Sequence, residues 1–154
     1  MKVLTKKSDY AIRALLVLGA QQGTYVSAKS ISRDQDIPYQ FLRGLLQELI
    51  RHNLIVSKEG IQGGFMLEKD PDTIPVLQII EIFQGEVQVS ECMFRKQLCS
   101  NRSRCVLRHE IMRIENVVQQ EFGKLTIGSL LHKLEKANAA QRQHQLAEQE
   151  ATNV

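Results

Sequence analysis

At 154 residues, the chain fits one domain or one domain with an appendage, because domains commonly run about 100 to 200 residues. Hydrophobic residues make up 43% and charged ones 24%, close to ordinary globular usage, which argues against wholesale disorder. The formal net charge of +3 is compatible with phosphate contacts but too weak to establish nucleic-acid binding by itself.

The basic excess has a location. Residues 1–70 hold ten Lys and Arg against seven Asp and Glu, whereas residues 71–154 hold ten against ten. The first nine residues carry charge throughout, and the apolar run from Ala14 to Ala20 is too short to cross a bilayer, so a cytoplasmic location and no membrane partner are expected. The chain has three cysteines, an odd number. Without a secretion signal, that disfavours a disulfide framework and favours metal or redox chemistry.

In chain order, Ser8 is placed to cap a helix over about 8–21, whose apolar residues Ile12, Leu15, Leu16 and Leu18 recur near helical spacing. Ser27 can cap a short second helix carrying Ala28 and Ile31, which stops near Asp36. Pro38 suits the first turn of a third helix, over about 38–52. That helix sets Phe41, Leu42, Leu45, Leu46, Leu49 and Ile50 on one face and Gln40, Arg43, Gln47 and Arg51 on the other. Residues 54–58 and 64–68 read as two strands joined by Glu59, Gly60, Ile61, Gln62 and Gly63.

Three helices and a glycine-tipped hairpin follow winged helix-turn-helix order. In that arrangement the third helix enters the major groove, where Arg and Gln make paired hydrogen bonds to guanine and adenine edges. Arg43 and Gln40 are therefore the leading base-reading candidates, with Gln47 and Arg51 on the same stripe. Ser27, Lys29, Tyr39 and the free N–H groups starting the second and third helices suit backbone phosphates, and Lys58, Gln62 and Gly63 are the wing candidates. A solvated polar face would show the same residue types.

Beyond Pro71 and Pro75, residues Val76 to Phe83 read as a short buried helix closed by Gly85, which packs the winged domain. From about Arg104, Leu107, Ile111, Ile114, Val118 and Phe122 repeat at three- and four-residue spacing, the pattern of a long amphipathic helix. Such a stripe must be buried, either on its own domain or in a two-fold dimer matching half-sites about 34 Å apart. Thr126 can cap a final helix carrying Ile127, Leu130, Leu131 and Leu134, and the Ala/Gln-rich tail has little to bury. The expected fold class is mainly α, a winged helix-turn-helix domain with a long C-terminal dimerisation helix. The expected division is a DNA-binding domain at 1–84, a cysteine loop at 85–106, dimerisation and terminal helices at 107–136, and a disordered or frayed tail at 137–154.

Cys92, Cys99 and Cys105 fall within fourteen residues, among Arg95, Lys96, Arg102, Arg104 and Arg108. Thiolates are the metal-binding form, positive charge favours them, and soft sulfur suits iron–sulfur clusters, zinc or copper(I). The Cys-x6-Cys-x5-Cys spacing is looser than ferredoxin runs or typical zinc sites. On residues alone, zinc, iron–sulfur and thiol switching all remain open, as does simple packing.

The segment from Leu4 to Leu15, the run Phe41-Leu42, Leu45-Leu46 and Leu49, and above all the wing from Ser57 to Phe65 with Gly60, Gly63 and Gly64 resemble the Rrf-two-type winged-helix regulators. That family includes IscR- and NsrR-like iron–sulfur repressors, and the likeness covers residues 1 to about 135. The resemblance implies a homodimeric regulator of an inverted-repeat, double-stranded DNA operator. It also implies a 4Fe-4S or 2Fe-2S cluster held by Cys92, Cys99 and Cys105, whose fourth ligand differs between members. Asp9, reaching from the partner subunit, is the leading candidate for that ligand. His109 competes, although it lies four residues after the last cysteine where IscR-like members have a histidine at three. Two further departures are Glu59, where the family often has Arg, and Gly44, which interrupts the third helix. The expected function is a transcription regulator, a repressor in the first instance, whose DNA affinity follows a cluster sensing nitric oxide, redox state or iron supply. The alternative is a DNA-binding regulator using the cysteines as a thiol switch or zinc site. Nucleotide loops and paired catalytic carboxylates are absent, so an enzyme is not expected.

Overall fold

The computed structural model describes residues 4–89 and 103–152, with side chains to residue 143. Helix α1 (Lys6–Ala20) begins two residues before the sequence-based start, because its N-cap is Thr5 and not Ser8. Thr5 and Ser8 form a reciprocal capping box, which places Ser8 at the third helical position, where its hydroxyl can bond back to the cap. Ser8 is wholly buried, and its Oγ lies 2.7 Å from Gln84 Oε1.

Helix α2 (Ala28–Gln35) is capped as expected, with Ser27 Oγ accepting from the Ser30 N–H at 3.1 Å. It ends on Asp36 in the left-handed region, φ 51°, a conformation that Asp tolerates better than most side chains. Helix α3 (Tyr39–Arg51) has Pro38 as its N-cap and not in its first turn, because Pro38 keeps an extended ψ of 125°. Gly44 does not interrupt α3, which is continuous through it. Leu42, Leu45, Leu46 and Leu49 form its buried face, and packing of that face overrides the modest propensity cost of one glycine.

Strands β1 (Ile55–Lys58) and β2 (Gly64–Leu67) pair antiparallel, with Ile55 opposite Leu67 and Lys58 opposite Gly64. The α1–α2 connection adds a bridge to this hairpin: the Val26 N–H donates to the Phe65 carbonyl at 2.8 Å, and the Phe65 N–H donates back at 2.9 Å. The wing root is thus fixed beside Ser27. Gly64 makes the approach possible, since it sits at φ 150° and a Cβ there would lie 2.5 Å from the Val26 carbonyl oxygen.

After a 3-10 turn at Pro71–Thr73, helix α4 (Val76–Gln84) stops at Gly85. Leu15, Leu18, Ile31, Leu42, Leu46, Leu49, Ile74 and Ile79 are fully buried in one core shared by α1 to α4. Burying each such side chain contributes about 1.5–3 kcal/mol before entropy is counted.

Helix α5 (Val106–Lys124) starts at Cys105, its N-cap. The apolar stripe expected along it divides. Val118 and Phe122 pack with Val76, Ile80 and Val87, while Leu107 and Ile114 remain 67% and 44% exposed. Two polar groups complete the inner face: Glu115 Oε2 accepts from the Val89 N–H at 2.9 Å, and Gln119 Nε2 donates to the Val87 carbonyl at 3.1 Å.

Helix α6 spans Ile127–Thr152. A bridge between Pro75 and Thr126 sets its start, and Ile127 and Leu131 join the core beside α1. The terminal helix is therefore part of the winged domain's core. It also runs through the segment read as a disordered or frayed tail, because Ala, Gln, Glu and Leu are strong helix formers even without a stripe to bury. Among the described residues, no helix is long and apolar enough to cross a membrane.

Candidate nucleic-acid interface and thiol site

The polar side of α3 is free. Tyr39, Gln40, Arg43, Gln47 and Arg51 are all exposed, on the side opposite the buried leucines. Arg51 is held by Glu48, with Nη1 3.0 Å from Oε2, so it is partly neutralised, whereas among the described residues no ion pair holds Arg43. Pro38 provides no side-chain cap for α3, leaving its first N–H groups available to an anion at the positive end of the helix.

The wing and the start of α2 form a second polar surface. Ser27, Ser30, Lys58, Gln62 and Gly63 line one cleft of about 650 Å³ with Tyr25. Lys58 Nζ lies 5.6 Å from the Tyr25 ring centroid, a cation–π distance that holds the ammonium near the α2 N-terminus. Ser27, Lys29 and Lys58 are exposed. Arg43 and Gln40 on α3 and Ser27, Lys58 and Gln62 at the wing are therefore presented to solvent by the helix–turn–helix and hairpin, with Gly63 half-buried beside them.

Sequence reasoning missed Tyr25 and Arg13. Arg13 Nη2 donates to the Gln35 carbonyl at 2.8 Å, and its guanidinium stands 5.1 Å from the Tyr10 ring centroid. Tyr10 in turn meets Phe41 edge-on at 5.7 Å. Arg13 thereby ties α1 to the C-terminal end of α2, where a cation is favoured by the helix dipole. An aromatic two residues before a serine cap was the only sequence signal for Tyr25.

Of the cysteines, Cys105 alone is described; Cys92 and Cys99 lie outside the described residues, as do Arg95, Lys96 and Arg102. Cys105 is a partly buried free thiol whose Sγ accepts from the Arg108 N–H at 3.4 Å. It faces the positive end of α5, the setting that suits an anionic sulfur ligand. His109 is exposed on the same helix. Asp9 lies in the first turn of α1, its side chain 51% exposed, with Oδ2 3.9 Å from Arg13 Nε. Among the described residues, no three His, Cys, Asp or Glu side chains stand close enough to hold a metal ion.

A third helix with an exposed Gln and Arg stripe, set beside a glycine hairpin, is the arrangement of a winged-helix DNA-binding regulator. The comparisons with known proteins agree. The model of the Rrf2 family, described as an iron-dependent transcriptional regulator, matches residues 4–133, and the chain belongs to that family. The HTH-type transcriptional regulator IscR of Sodalis glossinidius is 31% identical over 152 residues, covering 97% of this chain and 91% of that protein. Among solved structures, CymR, the global cysteine regulator of B. subtilis, superposes with a TM-score of 0.72 at 23% identity over 86% of this chain and 98% of its own. IscR of T. potens gives a TM-score of 0.72 at 24% identity over 89% of this chain and 90% of its own. At those identities the structural likeness shows the fold. The chain is a transcription regulator and not an enzyme, like its family.

Proposed function

We propose that this chain acts in the cytoplasm as a homodimeric regulator, a repressor in its simplest form, that reads an inverted-repeat operator and whose affinity for it follows an iron–sulfur cluster. Cys92, Cys99 and Cys105 would hold the cluster, with Asp9 of the partner subunit as fourth ligand. The observation that carries this reading is Cys105 itself, an unpaired thiol at the N-cap of α5 with a backbone N–H already directed at its sulfur. The donor chemistry fits, because three thiolates and a carboxylate are a soft and hard set that iron accepts. When bound, the group would supply a redox- and nitric-oxide-reactive centre next to the helix that carries the dimer surface.

Two further features support the reading. Leu107, Met112, Ile114 and Val117 remain exposed along α5, an apolar row that a two-fold contact with a second copy would cover. Asp9 keeps an exposed carboxylate, and its neighbour Arg13 connects to the end of α2. A change at Asp9 would therefore be felt where the helix-turn-helix is held together, and a population shift between two domain settings would alter half-site spacing. On DNA, Arg43 and Gln40 would read bases with Gln47 and Arg51 beside them, while Ser27, Lys29, Tyr39, Lys58, Gln62 and Gly63 would contact phosphates and the neighbouring groove.

The test is anaerobic purification of the full chain followed by Mössbauer and EPR spectroscopy of wild type and Asp9→Ala. A cluster spectrum in the wild type, altered or lost in the variant, is expected. Wild-type protein without iron–sulfur signals, with its three thiols intact and iron supplied, would overturn the cluster reading. Zinc on metal analysis, or a reversible disulfide without metal, would instead establish the thiol or zinc alternative.

A further inference from the structure

The tip of the wing carries no cation. Glu59, Gly60, Ile61 and Gln62 form it, and Ile61 is fully solvent-exposed at 106% relative accessibility. Single exposed hydrophobic residues are ordinary on protein surfaces, so exposure alone would mean little. The position is what distinguishes this one. Gly60 turns at φ 105°, and the Gly63 N–H closes the loop on the Gly60 carbonyl at 3.0 Å, which lifts Ile61 to the outermost point of the hairpin. Ile61 borders the same cleft as Ser27, Lys58 and Gln62, whose chemistry suits phosphates and base edges. Among the described residues of the C-terminal half, the strongly exposed aliphatic side chains Val106, Leu107, Ile114 and Val117 belong to α5 and Leu134 to α6, not to the hairpin.

The geometry points to Ile61 as a specificity-determining residue, an apolar contact in the minor groove that favours A·T over G·C pairs beneath the wing. This rests on the DNA-binding role described above. With α3 in the major groove, the hairpin packed beside it reaches across the bordering phosphate backbone, and the next groove there is the minor one. There A·T pairs present only acceptors and the adenine C2–H, whereas G·C pairs add the guanine N2 amino donor. An aliphatic side chain cannot accept that hydrogen bond and would strand the donor, but it packs well against an A·T floor. Other minor-groove proteins also bring Leu, Ile or Phe side chains into that groove, there as wedges between base steps. Lys58, held on Tyr25, would supply the flanking phosphate contact that keeps the tip seated.

The experiment begins by selecting duplexes from a random pool with the full-length wild-type protein and with Ile61→Ala, a substitution at an exposed site that leaves the core untouched. Positions where the wild type enriches A·T and Ile61→Ala does not are expected on the outer flanks of each half-site. Duplexes carrying A·T, G·C or inosine·C at those positions are next titrated by fluorescence anisotropy. Inosine lacks the N2 amino group but keeps the major-groove pattern of guanine. For the wild type, G·C should weaken binding about tenfold, within the usual range for one unfavourable pair, and inosine should restore it. Ile61→Ala should bind all three duplexes alike, with the salt dependence of the wild type. Retention of the same flank preference by Ile61→Ala, or failure of inosine to restore wild-type binding, would overturn the inference while leaving DNA binding intact. A wild-type protein that enriches no duplex would overturn both.

Discussion

Replacing Gly64 by Ala tests how the wing is held. The new Cβ would lie 2.5 Å from the Val26 carbonyl oxygen, 2.6 Å from its carbon and 3.0 Å from the Ser27 nitrogen. All three are backbone atoms, so no rotamer change relieves the clash. The φ of 150° adds conformational strain, about 1–3 kcal/mol for a side chain held in a sparsely populated region. Moving the strands apart would sacrifice the paired Val26–Phe65 hydrogen bonds, each worth roughly 0.5–1.5 kcal/mol net. The combined cost is about 2–5 kcal/mol, which for a chain of this size lowers the melting temperature by roughly 5–15 °C. Gly60→Ala is the control, because φ is 105° there but nothing lies within 4 Å of the added Cβ; strain alone should cost about 1–2 kcal/mol. Thermal and urea unfolding followed by circular dichroism, at one protein concentration, would measure both. A Gly64→Ala variant that melts with the wild type, or no lower than Gly60→Ala, would refute the steric argument.

Other outcomes follow from the same contacts. Gly44→Ala should stabilise the protein by about 0.5–1 kcal/mol in urea unfolding, because α3 is continuous and the added methyl meets open space, leaving only the entropic gain. Ile114→Glu should shift the protein toward monomer in sedimentation velocity without lowering helix content, since this half-exposed residue lies on the outer row of α5. Arg43→Ala should weaken operator binding by about 1–3 kcal/mol and relax preference at one base pair. Lys58→Ala should instead weaken all sequences alike and reduce the salt slope by about 1, as loss of a single phosphate contact does.

Local chemistry made much of the fold legible. The α3 leucines, the Ser27 cap and the glycine-tipped hairpin are each decided within a few residues, and the structure places them where periodicity and turn preferences require. The start of α1 is ambiguous in sequence because Thr5 and Ser8 are both competent caps, and only the approach of Gln84 from α4 shows why Ser8 turns inward. The α5 stripe looked uniform along the chain, yet it is divided between an inner end against α4 and an outer end in solvent, a distinction set by where α4 lies. In the 137–152 segment helix propensity and the lack of an apolar face point in opposite directions, and α6 follows the propensity. At the candidate site, the order of elements nominates Arg43, Gln40 and Lys58, and the structure leaves all three exposed. The Lys58–Tyr25 and Arg13–Gln35 contacts join elements distant in sequence, so no spacing rule could reveal them.

The central claim is that cluster state sets DNA affinity. It is tested most directly by anaerobic anisotropy titration of one selected duplex with the full chain, first reconstituted with iron and sulfide and then stripped of both, with bound iron and sulfide quantified in each sample. The account predicts that the two forms differ in affinity by about tenfold or more, within the usual span of coupling between two sites, and that Cys105→Ala loses both the iron and the difference. Equal affinities for a fully loaded and a fully stripped protein would contradict it.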